Sequence, residues 1–225
     1  MVMKQYSVIL PLNNEEEVFE ELYARVKKTM DGLRASYEII FVDDGSEDET
    51  YNLIFQCAKN DHNILAIKLS RNFGQDSALM AGLKFCSGKD IILMDGDLQD
   101  PPEFIPKLIE KQNQGFSVVY GIKSNRKENI IIRFLTSFFY QIMYFLTNTR
   151  MPTNAGVFSI LSRPVAAYMC NFQEHSTFIS GLRAYVGFKQ TGIPFKREKR
   201  SKGTPKSFPA LFRMGLNAFV SFSMF

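Results

Sequence analysis

Short apolar runs alternate with amphipathic stretches through the first half of the chain, and polar, Gly- or Pro-bearing turns separate them. The run Ile91-Ile92-Leu93-Met94 reads as a buried strand, as do the runs near 6–11, 37–43 and 63–69. The fourth strand is expected to extend over 90–95, and Phe116 to Gly121 supplies a fifth. Helical periodicity falls near 15–31, 48–60, 74–86 and 103–114. Strand–helix alternation of this kind predicts an α/β domain, a Rossmann-like and mainly parallel sheet with helices on both faces. Ligands of such sheets sit beyond the carboxyl ends of the strands. Pro11, Asp43-Asp44, Arg71-Asn72 and Asp95 to Asp97 all fall at those ends. No internal repeat or low-complexity segment interrupts the pattern.

The second half is patterned differently. Residues 129–148 are nearly apolar all round but include Arg133 and Gln141. A spanning helix needs about 20 apolar residues, so this segment reads either as an interfacial helix in the headgroup region or as a helix buried in the protein. Ala155 to Arg163 reads as a tight turn and a strand, Pro164-Val165 opens a helix, and a further helix follows Glu174 to Phe178 through Arg183 and Val186. Lys196 to Lys206 carries six Lys or Arg in eleven residues. Leu216 to Phe225 is uncharged, as at the start of a membrane segment beyond residue 225; a short helix packed on the domain is the alternative.

Composition narrows this reading. A length of 225 residues suits one large α/β domain, alone or with an appended module, and 45% apolar residues suffice for a core. Cys57, Cys86 and Cys170 are odd in number and widely spaced, which argues against a disulfide framework or a cysteine metal site. They suit a reducing compartment. Lys4 and Gln5 interrupt the N-terminus, so no signal peptide is expected. The net charge of +4 is unevenly divided: residues 1–122 carry 12 basic against 20 acidic residues, and residues 123–225 carry 15 against 3. The acidic half suits a nucleotide and metal; the basic half suits a polyanion or an anionic surface, with solvated basic faces as the plain alternative.

The densest chemistry lies in Asp95-Gly96-Asp97-Leu98-Gln99-Asp100-Pro101-Pro102-Glu103. Alternate residues of an extended chain point the same way, so Asp95 and Asp97 can face one site. Gly96 keeps the turn open, and Pro101-Pro102 ends the strand and starts a helix. A hard divalent cation shared with a diphosphate relieves the repulsion of two converging carboxylates; a polar turn with a helix cap is the plainer reading. Three more strand-ends accompany it in order: Pro11-Leu12-Asn13-Asn14-Glu15, then Val42-Asp43-Asp44-Gly45-Ser46, then Ser70-Arg71-Asn72-Phe73-Gly74. Together they resemble the nucleotide-sugar half of the family-2 glycosyltransferases, which have the GT-A fold. The Leu98-Gln99-Asp100-Pro101-Pro102-Glu103 extension resembles the polyprenyl-phosphate sugar transferases, of dolichyl-phosphate mannose synthase type, over nearly the whole chain.

The resemblance implies a division of labour. Residues 1–122 would form the nucleotide-sugar-binding half of the domain, and 123–225 the acceptor- and membrane-facing half with basic amphipathic helices. Asp95 and Asp97 would hold Mg2+ or Mn2+, with Gly96 between them at the nucleotide-sugar and Gln99 near the reacting sugar. Asp44, with Asp43 beside it, would meet the base and ribose of a UDP- or GDP-linked donor. Pro11, Asn13 and Glu15 would line its other side, though Glu15 also suits the dipole of a first helical turn. Lys123 or Arg126, then Arg133 and Ser137 one helical turn apart, would hold the acceptor phosphate; snorkelling at an interface is the alternative for Arg133. Arg197, Arg200 and Lys206 match a basic loop that closes over the diphosphate or touches anionic lipid, or is a solvated linker.

The acceptor decides the mechanism. A hydroxyl nucleophile needs a general base, whereas a phosphate monoester, with a second pKa of about 6, is already largely a dianion at neutral pH. After residue 122 the only carboxylates are Glu128, Glu174 and Glu198. Where hydroxyl-transferring relatives carry Glu-Asp, this chain has Glu174-His175. Where many relatives carry Gly-Asp-Phe-Arg, it has Gly156-Val157-Phe158-Ser159, which weakens inference from them there. The expected activity is inverting, metal-dependent transfer of a sugar to undecaprenyl or dolichyl phosphate at the cytoplasmic membrane face. The alternatives are the same fold acting on a saccharide hydroxyl with Glu174 as base, and a non-catalytic nucleotide-sugar-binding module. No nucleic-acid partner is expected, and homo-oligomerisation stays open.

Overall fold

The computed structural model describes residues 3–124, 155–172 and 178–198. The expected helix over 129–148 lies outside the described residues, as do Arg126, Arg133, Ser137, Glu174, Arg200 and Lys206. The described chain runs β1 (Tyr6–Leu12), α1 (Glu16–Gly32), β2 (Tyr37–Asp43), α2 (Thr50–Asn60), β3 (Ile64–Lys68), α3 (Gln75–Phe85) and β4 (Asp90–Leu93). A 3-10 turn (Pro102–Phe104) then leads to α4 (Ile105–Gln112), β5 (Val118–Lys123), β6 (Ala155–Ser162), α5 (Arg163–Cys170), α6 (Ile179–Tyr185) and β7 (Gln190–Phe195). Among the described residues, no helix is long and apolar enough to cross a membrane.

The strands form one seven-stranded sheet, ordered β3-β2-β1-β4-β6-β5-β7. All neighbours pair in parallel except at β6, which runs antiparallel to both β4 and β5. The period-2 alternation of strand side chains builds two cores. Val8, Leu10 and Leu12 of β1, with Ile39 and Phe41 of β2, face α1, α2 and α4. Ile9, Ile40 and Val42 face the opposite way, toward α3, α5 and α6. Helix α1 answers with Val18, Phe19, Leu22, Val26 and Met30 at three- and four-residue spacing. Its Phe19 ring meets Phe41 edge-on at 5.2 Å, and burial of such a ring contributes about 1.5–3 kcal/mol.

Two features depart from the sequence pattern. Strand β4 ends at Leu93, so Asp95 already lies in the turn, although the Met94 N–H still reaches the Ile9 carbonyl at 3.1 Å. Strand β7 carried no clear signal, because Gly192 and Pro194 sit inside it. Proline is tolerated there because, among the described strands, β7 lies at the sheet edge and pairs only with β5. At its end Phe195 packs with Phe104 and Phe158, each at 5.5 Å. This contact fixes where residues 196–198 leave the sheet, beside the turn that follows β4.

Candidate active site

The turn after β4 is shaped by packing from below and hydrogen bonds from above. Leu98 is buried in the core and adopts a left-handed backbone, φ 58°, which reverses the chain there. The Gln99 N–H donates to Asp97 Oδ1 at 3.1 Å, closing an Asx turn. Gly96 lies against the end of β1: a Cβ there would come within 2.8 Å of the Pro11 carbonyl oxygen. Pro11 is tolerated in this central strand because β1–β4 pairing stops at Ile9–Leu93, leaving no partner that needs its missing N–H.

Three carboxylates of this turn meet one guanidinium. Arg197 Nη2 lies 3.1 Å from Asp95 Oδ2 and 3.8 Å from Asp97 Oδ2, and its Nε lies 3.4 Å from Asp100 Oδ1. Asp95 also accepts a hydrogen bond from the Gln75 side chain at the start of α3. Asp100 is fully buried, and among the described residues neither carboxylate oxygen has a hydrogen-bond donor. Burial and the charges of Asp95 and Asp97 push its carboxyl up to about 7, while Arg197 and Lys123 act in the opposite direction. Lys123 reaches this region from the end of β5, its side chain lying over Gly156 of β6, where a Cβ would come within 2.8 Å of Lys123 Cε. Among the described residues no three His, Cys, Asp or Glu side chains form a ready metal-holding group; the cation at the carboxylates is Arg197.

The other strand-ends form one tied surface beside this turn. Asp44 is buried, and its two carboxylate oxygens accept the Phe73 and Gly74 N–H groups at 2.8 and 2.9 Å. Burial pushes its carboxyl up; those two N–H groups oppose the shift and the Asp43 charge adds to it. Asn13 donates to the Asp44 carbonyl at 2.9 Å and accepts from Asn72 at 3.0 Å. Asp43 is also buried, its carboxylate facing the Ser46 N–H at 3.3 Å. Glu15 occupies the cap position of α1, and its N–H donates to Thr50 Oγ1 at 2.9 Å. Thus Pro11, Asn13, Glu15, Asp43 and Asp44 border one edge, and Asp95, Gly96, Asp97, Gln99, Lys123 and Arg197 the next.

Three participants carried no sequence signal: Gln75 on Asp95, the burial of Asp100, and a clamp built on Arg25 of α1. That guanidinium donates to Glu103 at 3.0 and 2.8 Å and to Glu198 at 3.1 and 3.0 Å. The Glu198 N–H also donates to the Gln99 carbonyl at 2.9 Å. Residues 196–198 are therefore strapped across the turn that carries the carboxylates.

The family model for glycosyl transferase family 2 matches residues 7–169. The chain belongs to glycosyl transferase family 2. Its relatives include the glycosyltransferase sll0501 of Synechocystis sp., 36% identical over 98% of this chain and 70% of that protein. YkcC of Bacillus subtilis, also a glycosyltransferase, is 35% identical over 97% of this chain and 68% of its own. The undecaprenyl-phosphate 4-deoxy-4-formamido-L-arabinose transferase of Salmonella choleraesuis is 34% identical over 94% of this chain and 65% of its own. The chain thus spans about two thirds of the length of these relatives.

Solved structures agree on the architecture. Glucosyl-3-phosphoglycerate synthase of Mycobacterium tuberculosis, solved with Mn2+, UDP-glucose and phosphoglyceric acid, superposes with a TM-score of 0.68 at 18% identity, over 97% of this chain and 78% of that one. The mannosyltransferase PcManGT of Pyrobaculum calidifontis, solved with GDP-Man and Mn2+, gives 0.64 at 15% identity, over 99% and 64%. The sheet is that of the GT-A fold. This family-2 glycosyltransferase has the carboxylates of the β4 turn and the tied loops after β1, β2 and β3 at the carboxyl ends of the parallel strands.

Proposed function

We propose that this glycosyltransferase moves a sugar from a UDP- or GDP-linked donor to the phosphate of a polyprenyl phosphate, with inversion, at the cytoplasmic face of a membrane. The observation that carries the donor side is the convergence of Asp95, Asp97 and Asp100 on one cation at the end of β4. Their oxygen donors suit Mg2+ or Mn2+, and the guanidinium already there marks the position as one that takes positive charge. Asp95 and Asp97 would hold the ion, which when bound neutralises charge on the departing diphosphate. Asp44 and Asn13, with Asp43 beneath, would present the loops after β1, β2 and β3 to the nucleoside, and Pro11 and Glu15 flank them. Gln99 follows the carboxylates toward the sugar.

Residues 123–225 would serve the acceptor and the membrane, and 1–122 the donor. An ionised phosphate monoester is its own nucleophile and needs cations to aim it. Lys123 stands at the site edge, and Arg126, Arg133, Ser137, Arg200 and Lys206 complete the basic set by sequence. The Salmonella relative, by its name, uses undecaprenyl phosphate, which supports this acceptor class. Membrane association would rest on the basic half and the apolar residues 130–146.

A pair of variants tests the acceptor. Arg133→Ala should lower transfer to polyprenyl phosphate about ten- to a hundredfold, the loss of one charge-assisted contact of about 1.5–3 kcal/mol. Glu174→Gln should transfer at close to the parent rate. An inactive Glu174→Gln beside a near-normal Arg133→Ala would replace this reading with transfer to a saccharide hydroxyl.

A further inference from the structure

The two arginines of the 196–198 strap and its clamp are bound in different ways. Arg25 makes a forked, four-bond grip on Glu103 and Glu198, every distance between 2.8 and 3.1 Å. That is the forked geometry in which a guanidinium meets two carboxylates directionally. Among the described residues Arg197 makes one hydrogen bond, to Asp95 at 3.1 Å, and its other two carboxylates stand at 3.8 and 3.4 Å. Among the described residues its buried Nε has no hydrogen-bond acceptor, and the Asp100 oxygens beside it have no donor. Charge is matched here without directional fit. The Arg197 Nε stands 3.4 Å from Asp100 Oδ1 without closing a hydrogen bond, so Asp100 keeps Arg197 near while binding it loosely.

We propose that Arg197 is a built-in competitor for the cation position at Asp95 and Asp97, retained there by Asp100, so that divalent-cation binding and departure of the Arg197 side chain are one coupled equilibrium. The inference rests on the reading of Asp95 and Asp97 as metal ligands. Glu198, held by Arg25, keeps the strap in place while the neighbouring guanidinium swings out. Coupling is reciprocal: a cation that displaces Arg197 must bind more weakly than it would to the same carboxylates without that competitor. The released guanidinium is then available to the diphosphate that arrives with the ion.

Mn2+ binding without nucleotide, read by electron paramagnetic resonance on the whole chain, tests this. Arg197→Ala should bind Mn2+ about 5- to 150-fold more tightly than the parent, the usual span of such couplings, and Lys123→Ala should tighten it far less. In the parent, saturating Mg2+ should speed phenylglyoxal modification of Arg197 severalfold while Arg25 stays slow. Equal or weaker Mn2+ binding by Arg197→Ala overturns the proposal. An equal gain from Lys123→Ala does so too, since the effect would then be general charge, as does Arg197 reactivity that ignores Mg2+. Mn2+ binding that persists in Asp97→Asn instead refutes the metal reading itself, and no binding by any variant refutes both.

Discussion

Gly96→Ala puts one methyl group between the end of β1 and the carboxylate turn. The new Cβ would lie 2.8 Å from the Pro11 carbonyl oxygen, where ordinary contact begins at 3.4 Å, and 2.3 Å from Leu12 Cδ2. Neither neighbour yields easily. Pro11 is backbone in a central strand, and Leu12 is 1% exposed and packed in the core. Gly96 is not among the positive-φ glycines, so alanine is not penalised for its backbone conformation. Reduced freedom of the unfolded chain would even favour it, by about 0.4–1 kcal/mol. Overpacking at about 1–3 kcal/mol wins that comparison and leaves a net loss of about 1–2 kcal/mol. At about 2–4 °C per kcal/mol for a chain of this size, Tm should fall by about 2–8 °C. The functional cost should be larger, because the turn must move by about half an ångström or more and takes Asp95 and Asp97 with it; a misplacement near 1 Å costs about a hundredfold. Differential scanning fluorimetry and donor titration with Mn2+ measure both effects. A variant with parental Tm and donor affinity would refute the claim that the β1 end sets the position of these carboxylates.

Asp44→Ala should raise the donor KM and leave kcat largely intact, since Asp44 organises the Phe73–Gly74 loop and, in the proposed function, serves the nucleoside and not the reacting carbon. A lowered kcat at constant KM would place Asp44 in the chemistry. Asp61 gives a pH-dependent outcome. Burial acts to raise its carboxyl, but Lys27 at 2.7 Å, the Asn63 N–H and the Tyr23 hydroxyl outweigh it and hold it below the ordinary value. A depressed carboxyl stabilises the fold above its unfolded pKa, near 4, and loses that contribution as pH falls through the folded value. The Tm deficit of Asp61→Asn should therefore be full at neutral pH and shrink below about pH 4; a deficit unchanged with pH would remove the ionic explanation.

Local pattern carried most of the fold. Ile39 to Val42 and Ile91 to Met94 are apolar on both faces, as strands covered by helices on both sides must be. The Asp95–Asp97 pair was legible as two carboxylates just past an apolar strand, but β4 ends at Leu93, so the turn and not extended-chain alternation orients them. What stayed hidden depends on distant partners. Arg197 meets Asp95 across 102 residues, and Arg25 meets Glu198 across 173. The basic run at 196–206 reads the same whether it is solvated or folded onto carboxylates. Asp100 looked like one more polar residue before two prolines, and nothing nearby signalled its complete burial. Asp44 was legible as a strand-end carboxylate, but its grip on the Phe73 and Gly74 N–H groups follows from the parallel placement of β2 beside β3. Strand β7 was masked by its own Gly192 and Pro194.

In the proposed reaction the nucleophile is the phosphate of a polyprenyl lipid. The most direct measurement presents the glycosyltransferase, in membranes of cells that express it, with a panel of labelled UDP- and GDP-sugars and two acceptors of identical chain, undecaprenyl phosphate and undecaprenol. One donor should label the phosphate lipid in the presence of Mg2+ or Mn2+, and undecaprenol should stay unlabelled. Label in undecaprenol or in a saccharide, with none in undecaprenyl phosphate, would contradict it.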